Sequence, residues 1–305
     1  PNKIHNGAIT VTKLPHLDTY IRTRHTLPNP LTFFAPNLQF IALKKETRLV
    51  LTVHDLSFYH IPWWYSPKMR LWHTLVNPQK LIERADTLIA VSHTTKEDLV
   101  NTFHVPENRI KVVYPGISRE NPNPSILQNI PKRFIFCISS IEPRKNIELL
   151  FEAFANLKKN PRHHDVALVL AGPIGYHGKK ILQHAKKLGS SFHYLGYVPS
   201  GIKARLLAQC AVFVYPSLFE GFGFPPLEAM AAGAPVVASM IPSLQEVLGG
   251  NALLANPYRS DEFTNGFDAL LTDDALQAHF RAAGRAHAQK FSWETTAHEI
   301  TAILK

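Results

Sequence analysis

The sequence is most informative at Ala211-Val-Phe-Val-Tyr-Pro-Ser-Leu-Phe-Glu-Gly-Phe-Gly-Phe-Pro-Pro-Leu-Glu-Ala-Met-Ala-Ala-Gly233. The apolar run at its start, Ala211 to Tyr215, predicts a buried parallel strand. Leu227 to Ala232 are good helix formers, the two prolines before them fit a first helical turn, and Gly233 is typical of a helix stop. The stretch therefore predicts a strand, a loop and a helix of the kind that forms the ligand-binding edge of open α/β sheets.

Two carboxylates lie between the predicted strand and the end of the helix. Glu220 is expected in the loop at the carboxyl end of the strand, and Glu228 in the first turn of the helix, so both would face the crevice where such sheets bind ligands. Gly221 and Gly223 have no Cβ, which lets the loop backbone approach a ligand and offer it N–H groups. Taken singly, Glu228 could simply complement the helix dipole and Glu220 could be a solvated loop charge.

The combination is more specific, because Glu220-Gly-Phe-Gly-Phe-Pro-Pro-Leu-Glu228-Ala-Met resembles the Glu-x7-Glu motif of family 4 retaining glycosyltransferases of the GT-B fold. The resemblance implies that Glu220 and the amides of the loop Gly221-Phe222-Gly223-Phe224 hold the donor sugar, and that Glu228 holds the ribose diol. A carboxylate accepts two hydrogen bonds at once and so suits a vicinal diol. The loop also begins like a dinucleotide fingerprint, but a proline stands where the third glycine belongs, so NAD binding is not expected.

A second group of charged residues occurs at Ser139-Ser-Ile-Glu-Pro-Arg-Lys-Asn146, after a predicted strand. Arg144 and Lys145 are expected in the first turn of a helix that runs to Leu157, against the helix dipole, at a cost of about 0.3–1 kcal/mol each. Bound phosphate at the helix N-terminus would explain these cations. Side chains that extend into water, where the cost is screened, would explain them equally well.

At this position Glu-Pro-Arg-Lys-Asn resembles the phosphate-binding segment of the same family. The resemblance implies that Lys145, with Arg144 beside it, binds the donor diphosphate. Many family members carry an arginine six residues before the lysine, where this chain has Ser139, a small hydroxyl residue found in one subgroup. Gly172 and Val198 lie in further matching segments, and the segment with Val198 is where the family's backbone meets the nucleobase.

The segment Thr52-Val-His-Asp-Leu-Ser-Phe58 resembles the family's interdomain histidine segment. The resemblance implies that His54 borders the donor sugar, although a histidine after a strand is by itself more often a hydrogen-bonded turn residue. Pro62-Trp-Trp-Tyr-Ser-Pro67 then leads into a helix that mixes aromatic and basic residues. That mixture suits an interfacial surface, and it equally suits a helix with its tryptophans packed inward.

Apolar runs of strand length alternate with helical segments, which favours doubly wound α/β architecture. The predicted strands are Arg48–Val53, Ala85–Val91, Arg109–Tyr114, Arg133–Ile138, Val166–Leu170, Phe192–Leu195, Ala211–Tyr215, Pro235–Ala238 and Ala252–Leu254. The resemblance implies a GT-B fold, in which two Rossmann-like domains face each other across a cleft. The predicted parts are an acceptor-side domain at 1–120, a linker at 121–131, a donor-binding domain at 132–290 and a crossover helix at 291–305.

The first 47 residues hardly match the family, and the Gly-rich turn expected there is absent from the sequence. We therefore expect an incomplete first domain, with residues 1–47 loosely held and turnover weak.

Composition narrows the possible partners. A chain of 305 residues with 45% hydrophobic residues can form two cores of domain size. The formal charge of +10 indicates an anionic partner, such as a nucleotide diphosphate, an anionic lipid surface or nucleic acid. Nucleic acid is the least expected, because the charge is spread out and no recognition motif is present. Two cysteines in apolar surroundings and the lack of a signal peptide favour a cytosolic protein, with peripheral association at the inner face of the membrane as an addition.

The resemblance implies a hexosyltransferase that retains anomeric configuration and uses a nucleotide diphosphate sugar. The choice of GDP-mannose first and a UDP-hexose second rests on the subgroup resemblance alone. The acceptor would be a glycan or a lipid-linked glycan. We expect no cofactor and no metal, because the sequence has no Asp-x-Asp pair and because Arg144 and Lys145 would stabilise the leaving diphosphate. The alternatives are a nucleotide-sugar-binding fragment with impaired catalysis and, further off, a basic Rossmann-like nucleic-acid binder.

Overall fold

The computed structural model of the chain describes residues 32–41, 43–118 and 130–305. Within them lie two parallel sheets, one of four strands and one of six. The first sheet contains β1 Thr32–Ala35, β2 Arg48–Val53, β3 Thr87–Ala90 and β4 Ile110–Val112, in that spatial order. The second contains β5 Phe134–Ile138, β6 Ala167–Ala171, β7 Phe192–Tyr194, β8 Val212–Tyr215, β9 Val236–Ser239 and β10 Leu253–Ala255, in the order 10-9-8-5-6-7.

Helices connect the strands and cover the sheets. Those of the first half are α1 Ser57–His60, α2 Pro67–Val76, α3 Pro78–Arg84 and α4 His93–Phe103. Those of the second half are α5 Ile147–Leu157, α6 Gly178–His184, α7 Ser200–Gln209, α8 Phe224–Ala232, α9 Pro242–Leu248, α10 Ser260–Thr272, α11 Asp274–Ala288 and α12 Trp293–Leu304. In the described part of the chain, no helix has the length and apolar character needed to cross a bilayer.

Burial on both faces explains why the strands of the second sheet could be predicted from apolar runs. Along β5, Phe134 and Phe136 pack into the core on one face, and Ile135 and Cys137 into the core on the other. Side chains alternate between faces, so a strand covered on both sides must be apolar throughout. Every predicted strand is confirmed, with ends that differ by no more than two residues. Both cysteines are buried and unpaired, as expected.

One strand of the first sheet was missed. β1 pairs in parallel with β2, and Phe33 lies opposite Leu49. The expectation that residues 1–47 are loosely held is therefore wrong for Thr32–Ala35, while residues 1–31 lie outside the described part. The strand has only four residues, so its apolar run is too short to identify from periodicity.

The last helix packs against the first sheet. Ser292 caps it by accepting a hydrogen bond from the Thr295 N–H at 3.1 Å. Its apolar face, with Ile300 and Ile303, packs on Val50 and neighbouring residues of the first sheet. The chain thus returns from the second half to the first. The residue boundaries given above for the domains and the linker stay predictions.

Candidate functional site

Two neighbouring cavities open at the carboxyl ends of the strands, with volumes of about 420 and 340 Å³. They share a wall formed by Ser139, Ser140 and Pro225. β5 and β8 are neighbours in the sheet, so the loops that follow them lie side by side. The structure brings all the predicted site residues to these cavities. The larger is lined by His54, Ser139, Arg144, Lys145, Glu220, Gly221, Phe222, Gly223 and Phe224, and the smaller by Ser139, Gly172, Val198 and Glu228.

A compact network of charges forms one side of the larger cavity. The ammonium group of Lys145 contacts Glu220 Oε1 and donates a hydrogen bond to the Tyr215 hydroxyl at 2.8 Å. That hydroxyl donates to the same Glu220 oxygen at 2.9 Å. Arg144 Nη1 lies 3.2 Å from Glu220 Oε2, and its Nη2 lies 3.1 Å from Glu142 Oε1. Two cations and a tyrosine therefore hold one carboxylate at the cavity.

Burial makes this network electrostatically strong. The side chains of Lys145 and Glu220 are 9% and 10% exposed. Burial alone would raise the pKa of Glu220, but Lys145 and Arg144 lower that pKa below its ordinary value. Burial alone would lower the pKa of Lys145, but Tyr215 and Glu220 raise that pKa above its ordinary value. At neutral pH the lysine is charged and the glutamate is ionised.

The backbone around the cations differs from the prediction. Arg144 and Lys145 belong to a short 3-10 turn, Pro143–Lys145, and α5 begins after it at Ile147. Asn146 separates the two with a φ of 55°, a left-handed conformation that asparagine tolerates but a helix interior does not. Its side chain donates to the carbonyl of Pro257 at 2.7 Å, which fixes this break. The cations therefore precede the helix rather than occupy its first turn.

The glycine loop after β8 lies against the first half of the molecule. A Cβ on Gly221 would lie 1.7 Å from the carbonyl oxygen of His54, so the two halves can meet here only at a glycine. Ser92 donates a hydrogen bond from its hydroxyl to the Gly221 carbonyl at 2.6 Å. Gly223 has a φ of 109°, which also requires glycine. Close packing between the two halves is thus one reason for Gly221, in addition to the ligand approach that we predicted.

The first sheet contributes the opposite wall of the larger cavity. His54 follows β2, and its Nε2 lies 3.0 Å from the carbonyl oxygen of Pro36. Asp55 and Val91 line the cavity beside it. Asp55 accepts a hydrogen bond from the Ser57 N–H at 2.9 Å. The cavity therefore lies between the two sheets, and the histidine predicted at the donor sugar is in place to face it.

The smaller cavity contains the second glutamate of the motif. Glu228 is the fifth residue of α8, so it lies in the second helical turn and not in the first as predicted. Lys203 of α7 donates to both of its carboxylate oxygens, at 2.9 and 3.0 Å. Gly172 has a φ of 130°, and a Cβ there would lie 1.8 Å from the carbonyl oxygen of Ser139. Glycine is therefore required where these two strand ends meet.

Sequence reasoning missed six polar residues that line the cavities: Asp55, Ser140, Tyr197, Ser200, Lys203 and Tyr215. Asp55 and Ser140 directly follow identified residues, so their positions were available from the motifs. Tyr215 was interpreted only as the last residue of a buried strand, and Lys203 only as one of many lysines in helices. The sequence holds little local signal for either role: Lys203 pairs with Glu228, 25 positions away, and Tyr215 contacts Lys145, 70 positions away, as well as Glu220, five positions away.

Two facing parallel-sheet units, with cations and carboxylates in the cleft, define a glycosyltransferase of the GT-B fold. The chain belongs to the family described as glycosyl transferases group 1, whose sequence profile matches residues 119–287. The profile of glycosyltransferase family 4 matches residues 28–121. These matches confirm the family that the two glutamates and the Arg-Lys segment indicated.

Named relatives agree with this membership. O-antigen chain mannosyltransferase B of Escherichia coli is 33% identical over 273 residues, which are 86% of this chain and 71% of that protein. The serotype-specific mannosyltransferase WbdA of Escherichia coli is 31% identical over 230 residues, 71% of this chain and 28% of WbdA. Among solved structures, Anabaena HepE in complex with UDP and glucose matches with a TM-score of 0.69 and 24% identity, over 85% of this chain and 71% of HepE. The last match shows the common fold.

Proposed function

We propose that this chain transfers a mannosyl group from a nucleotide diphosphate sugar to a glycan or lipid-linked acceptor, with retention of anomeric configuration. GDP-mannose is the first donor to test, and a UDP-hexose the second. The observation that carries the proposal is the buried Arg144–Lys145–Glu220 network at a cavity between the two sheets. The mannosyltransferase names of the relatives support the choice of sugar.

In this proposal each part of the donor has a place. The diphosphate lies against Lys145 and Arg144, whose fixed positive charges stabilise the negative charge that develops as the glycosidic bond breaks. Glu220 and the amides of the loop Gly221–Phe224 hold the sugar, with His54 opposite. The nucleoside occupies the smaller cavity, its ribose on Glu228 and its base near Val198.

The chemistry that we propose needs no protein nucleophile. The acceptor hydroxyl attacks the anomeric carbon on the face from which the diphosphate departs, and the departing phosphate oxygen takes the hydroxyl proton. Positive charge builds on the sugar and negative charge on the leaving group, so the nearby cations stabilise the transition state more than the bound donor. We propose that this electrostatic role replaces a metal ion.

The phosphate assignment is tested by calorimetry with GDP and UDP on the wild type and on Lys145→Met. A charge-assisted hydrogen bond contributes about 1.5–3 kcal/mol, so affinity should fall by roughly 10- to 150-fold. The exposed Lys290 provides a matched control, since Lys290→Met should bind as the wild type does. Circular dichroism checks that both variants fold. An unchanged dissociation constant in folded Lys145→Met would overturn the assignment.

The metal independence is tested by turnover with GDP-mannose and a glycan acceptor in the presence of EDTA. We expect the rate to remain within about twofold of the untreated enzyme, because two protein cations already neutralise the leaving group. Loss of turnover on chelation, with recovery on addition of magnesium or manganese, would contradict the proposal.

We also propose that the enzyme works at an anionic membrane surface, where a lipid-linked acceptor would be found. The support is α2, which exposes Leu71 and Leu75 next to Lys68 and Arg70. Apolar and basic side chains combined on one exposed helix favour an anionic interface.

A further inference from the structure

The ion pair between Lys203 and Glu228 has a geometry that a simple link between two helices does not require. One ammonium group donates to both carboxylate oxygens, at 2.9 and 3.0 Å. The side chains are 25% and 15% exposed, and both line the smaller cavity. A fully solvated pair contributes little to stability and holds no fixed geometry. This pair is partly buried and faces a cavity large enough for a nucleoside.

The symmetric contact fixes the orientation of the carboxylate. The terminal torsion of a glutamate is broad, so an unpaired carboxylate rotates. With both oxygens on one ammonium, the carboxylate plane is held, and each oxygen keeps lone pairs for a second donor. Two hydroxyl groups on adjacent carbons offer such donors at matching spacing. A held carboxylate therefore loses less conformational freedom when it binds a diol than a free one does.

The ammonium group also balances charge. A nucleotide diphosphate is an anion, and an unpaired Glu228 would repel it across the cavity wall. Lys203 offsets that repulsion, and each carboxylate oxygen keeps lone pairs that can accept hydrogen bonds from hydroxyl groups.

We propose that Lys203 is a positioning residue that holds Glu228 for the ribose 2′,3′-diol and thereby sets a preference for ribonucleotide over 2′-deoxyribonucleotide donors. The inference rests on the proposed function, in which Glu228 holds the ribose. Its physical basis is that a site built to hydrogen-bond a hydroxyl discriminates strongly against a ligand that lacks it, because a buried acceptor is left unpaired.

The test compares the dissociation constants of GDP and 2′-deoxy-GDP by calorimetry, repeated with UDP and 2′-deoxy-UDP. The proteins are the wild type, Lys203→Met, Lys203→Arg, Glu228→Gln and the control Lys96→Met. Lys96 is matched because it pairs with Glu107 at 2.8 Å, is also 25% exposed, and lies outside both cavities.

For the wild type we expect the ribonucleotide to bind at least tenfold tighter than its deoxy form. Lys203→Met should weaken ribonucleotide binding about tenfold and deoxyribonucleotide binding less, so that the preference falls at least threefold. Lys203→Arg should retain most of the preference, since a guanidinium also donates to both oxygens. Lys96→Met should match the wild type.

The outcomes distinguish the proposed role of Lys203 from the ribose assignment of Glu228. If Glu228→Gln lowers the preference and Lys203→Met lowers both affinities equally, Lys203 supplies charge alone and the inference is wrong while the ribose assignment stands. If Glu228→Gln leaves the preference unchanged, the ribose assignment itself is wrong. Should Lys203→Met fail to fold, Lys203→Gln takes its place, because its amide carries no charge and can donate to one carboxylate oxygen. The preference should again fall at least threefold, and an unchanged preference would overturn the inference.

Discussion

Tyr215 is the residue on which the geometry of the buried Lys145–Glu220 pair depends most directly. Its hydroxyl contacts both the ammonium group of Lys145 and the carboxylate of Glu220, at 2.8 and 2.9 Å, and these two groups also contact each other directly. Burial and the nearby Glu220 raise the pKa of the tyrosine, so it stays protonated and donates at any physiological pH. The ring itself is 2% exposed and cannot move aside. The tyrosine therefore fixes the distance between the two charged groups.

Tyr215→Phe should reduce turnover by about 10- to 100-fold while the protein remains folded. The substitution keeps the ring and removes one hydroxyl, which leaves two buried charged groups each a partner short, at a cost of about 1–3 kcal/mol. Steady-state kinetics should show the loss in kcat more than in KM, because the cations act mainly as the leaving group departs. Tyr258→Phe is the control, since that tyrosine is 79% exposed. A normal kcat in Tyr215→Phe would show that the hydroxyl does not position the pair.

Among individual residues, those that belong to a short motif could be identified from the sequence, and those whose partners lie elsewhere in the chain could not. Glu220 and Glu228 have a fixed spacing within one loop and helix, and Arg144 and Lys145 stand together in one turn, so short segments suffice to find them. Lys203 pairs with a residue of another helix, and Tyr215 with a residue 70 positions away. Such pairings arise from tertiary packing, and no periodicity or spacing records them.

At the scale of helices and strands, the success of a prediction depended on how many consecutive residues show the same apolar or helical pattern. The strands of the second sheet that are buried on both faces, β5, β6, β8 and β9, were predicted because each is an apolar run. β1 was missed because it is only four residues long. The start of α5 was placed too early because the left-handed Asn146 is set by a side-chain bond to Pro257, far along the chain. Local propensity does not contain that contact.

The helix α2 presents apolar side chains to solvent to a degree unusual for a helix of this length. Met69, Leu71 and Leu75 are 40%, 59% and 62% exposed, and Lys68 and Arg70 are exposed beside them. Trp72 is half-buried against Phe40, whereas Trp63 just before the helix is 62% exposed. The tryptophans therefore divide between the inward-packed and the interfacial interpretation that the sequence left open.

Sedimentation with vesicles tests whether this helix binds a membrane. We expect the protein to bind vesicles rich in phosphatidylglycerol better than neutral ones, and to be released by salt. Leu71→Gln/Leu75→Gln should weaken binding by about tenfold or more, because burying a leucine contributes about 1.5–3 kcal/mol. Lys186→Gln/Lys187→Gln removes two exposed lysines from the second half and serves as the control. Equal weakening by both double variants would indicate general charge attraction without a role for α2.

At the scale of the whole molecule, Glu246 of α9 joins the two halves. Its carboxylate accepts hydrogen bonds from the N–H groups of His93 and Thr94 at 2.6 and 2.8 Å, at the N-terminus of α4, and from the Tyr114 hydroxyl at 2.8 Å. A carboxylate is favourable there because the first N–H groups of a helix have no partner within it. The same end of α4 contacts the glycine loop through Ser92. The contact between the two halves and the position of the glycine loop therefore both depend on the N-terminus of α4.

Glu246→Gln should favour an open arrangement of the two halves. The substitution replaces the charge at the helix N-terminus by a neutral amide. It lowers the stability of the closed arrangement relative to the open one by about 1–2 kcal/mol, which multiplies the open fraction by about 5 to 30. We expect faster hydrogen exchange at residues 92–95 and a larger radius of gyration by X-ray scattering. Turnover should fall while binding of free GDP stays nearly unchanged, since the nucleotide contacts that we propose lie in the second half. Glu299→Gln, an exposed change on α12, is the control.

Acidification should act in the same direction as this substitution. Burial alone would raise the pKa of Glu246, but the hydrogen bonds from Thr94, His93 and Tyr114 outweigh burial and hold that pKa below its ordinary value. A carboxylate with a lowered pKa in the closed form stabilises that form above the ordinary glutamate pKa of about 4.3, and the stabilisation is lost as the pH falls through the lowered value. Scattering between pH 7 and pH 3 should therefore show that the wild type opens at the acidic end. Glu246→Gln has no carboxylate at this position, so it should be open to a similar extent at every pH at which it remains folded. A closed Glu246→Gln protein at pH 7, with exchange at residues 92–95 as slow as in the wild type, would mean that the carboxylate does not hold the two halves together.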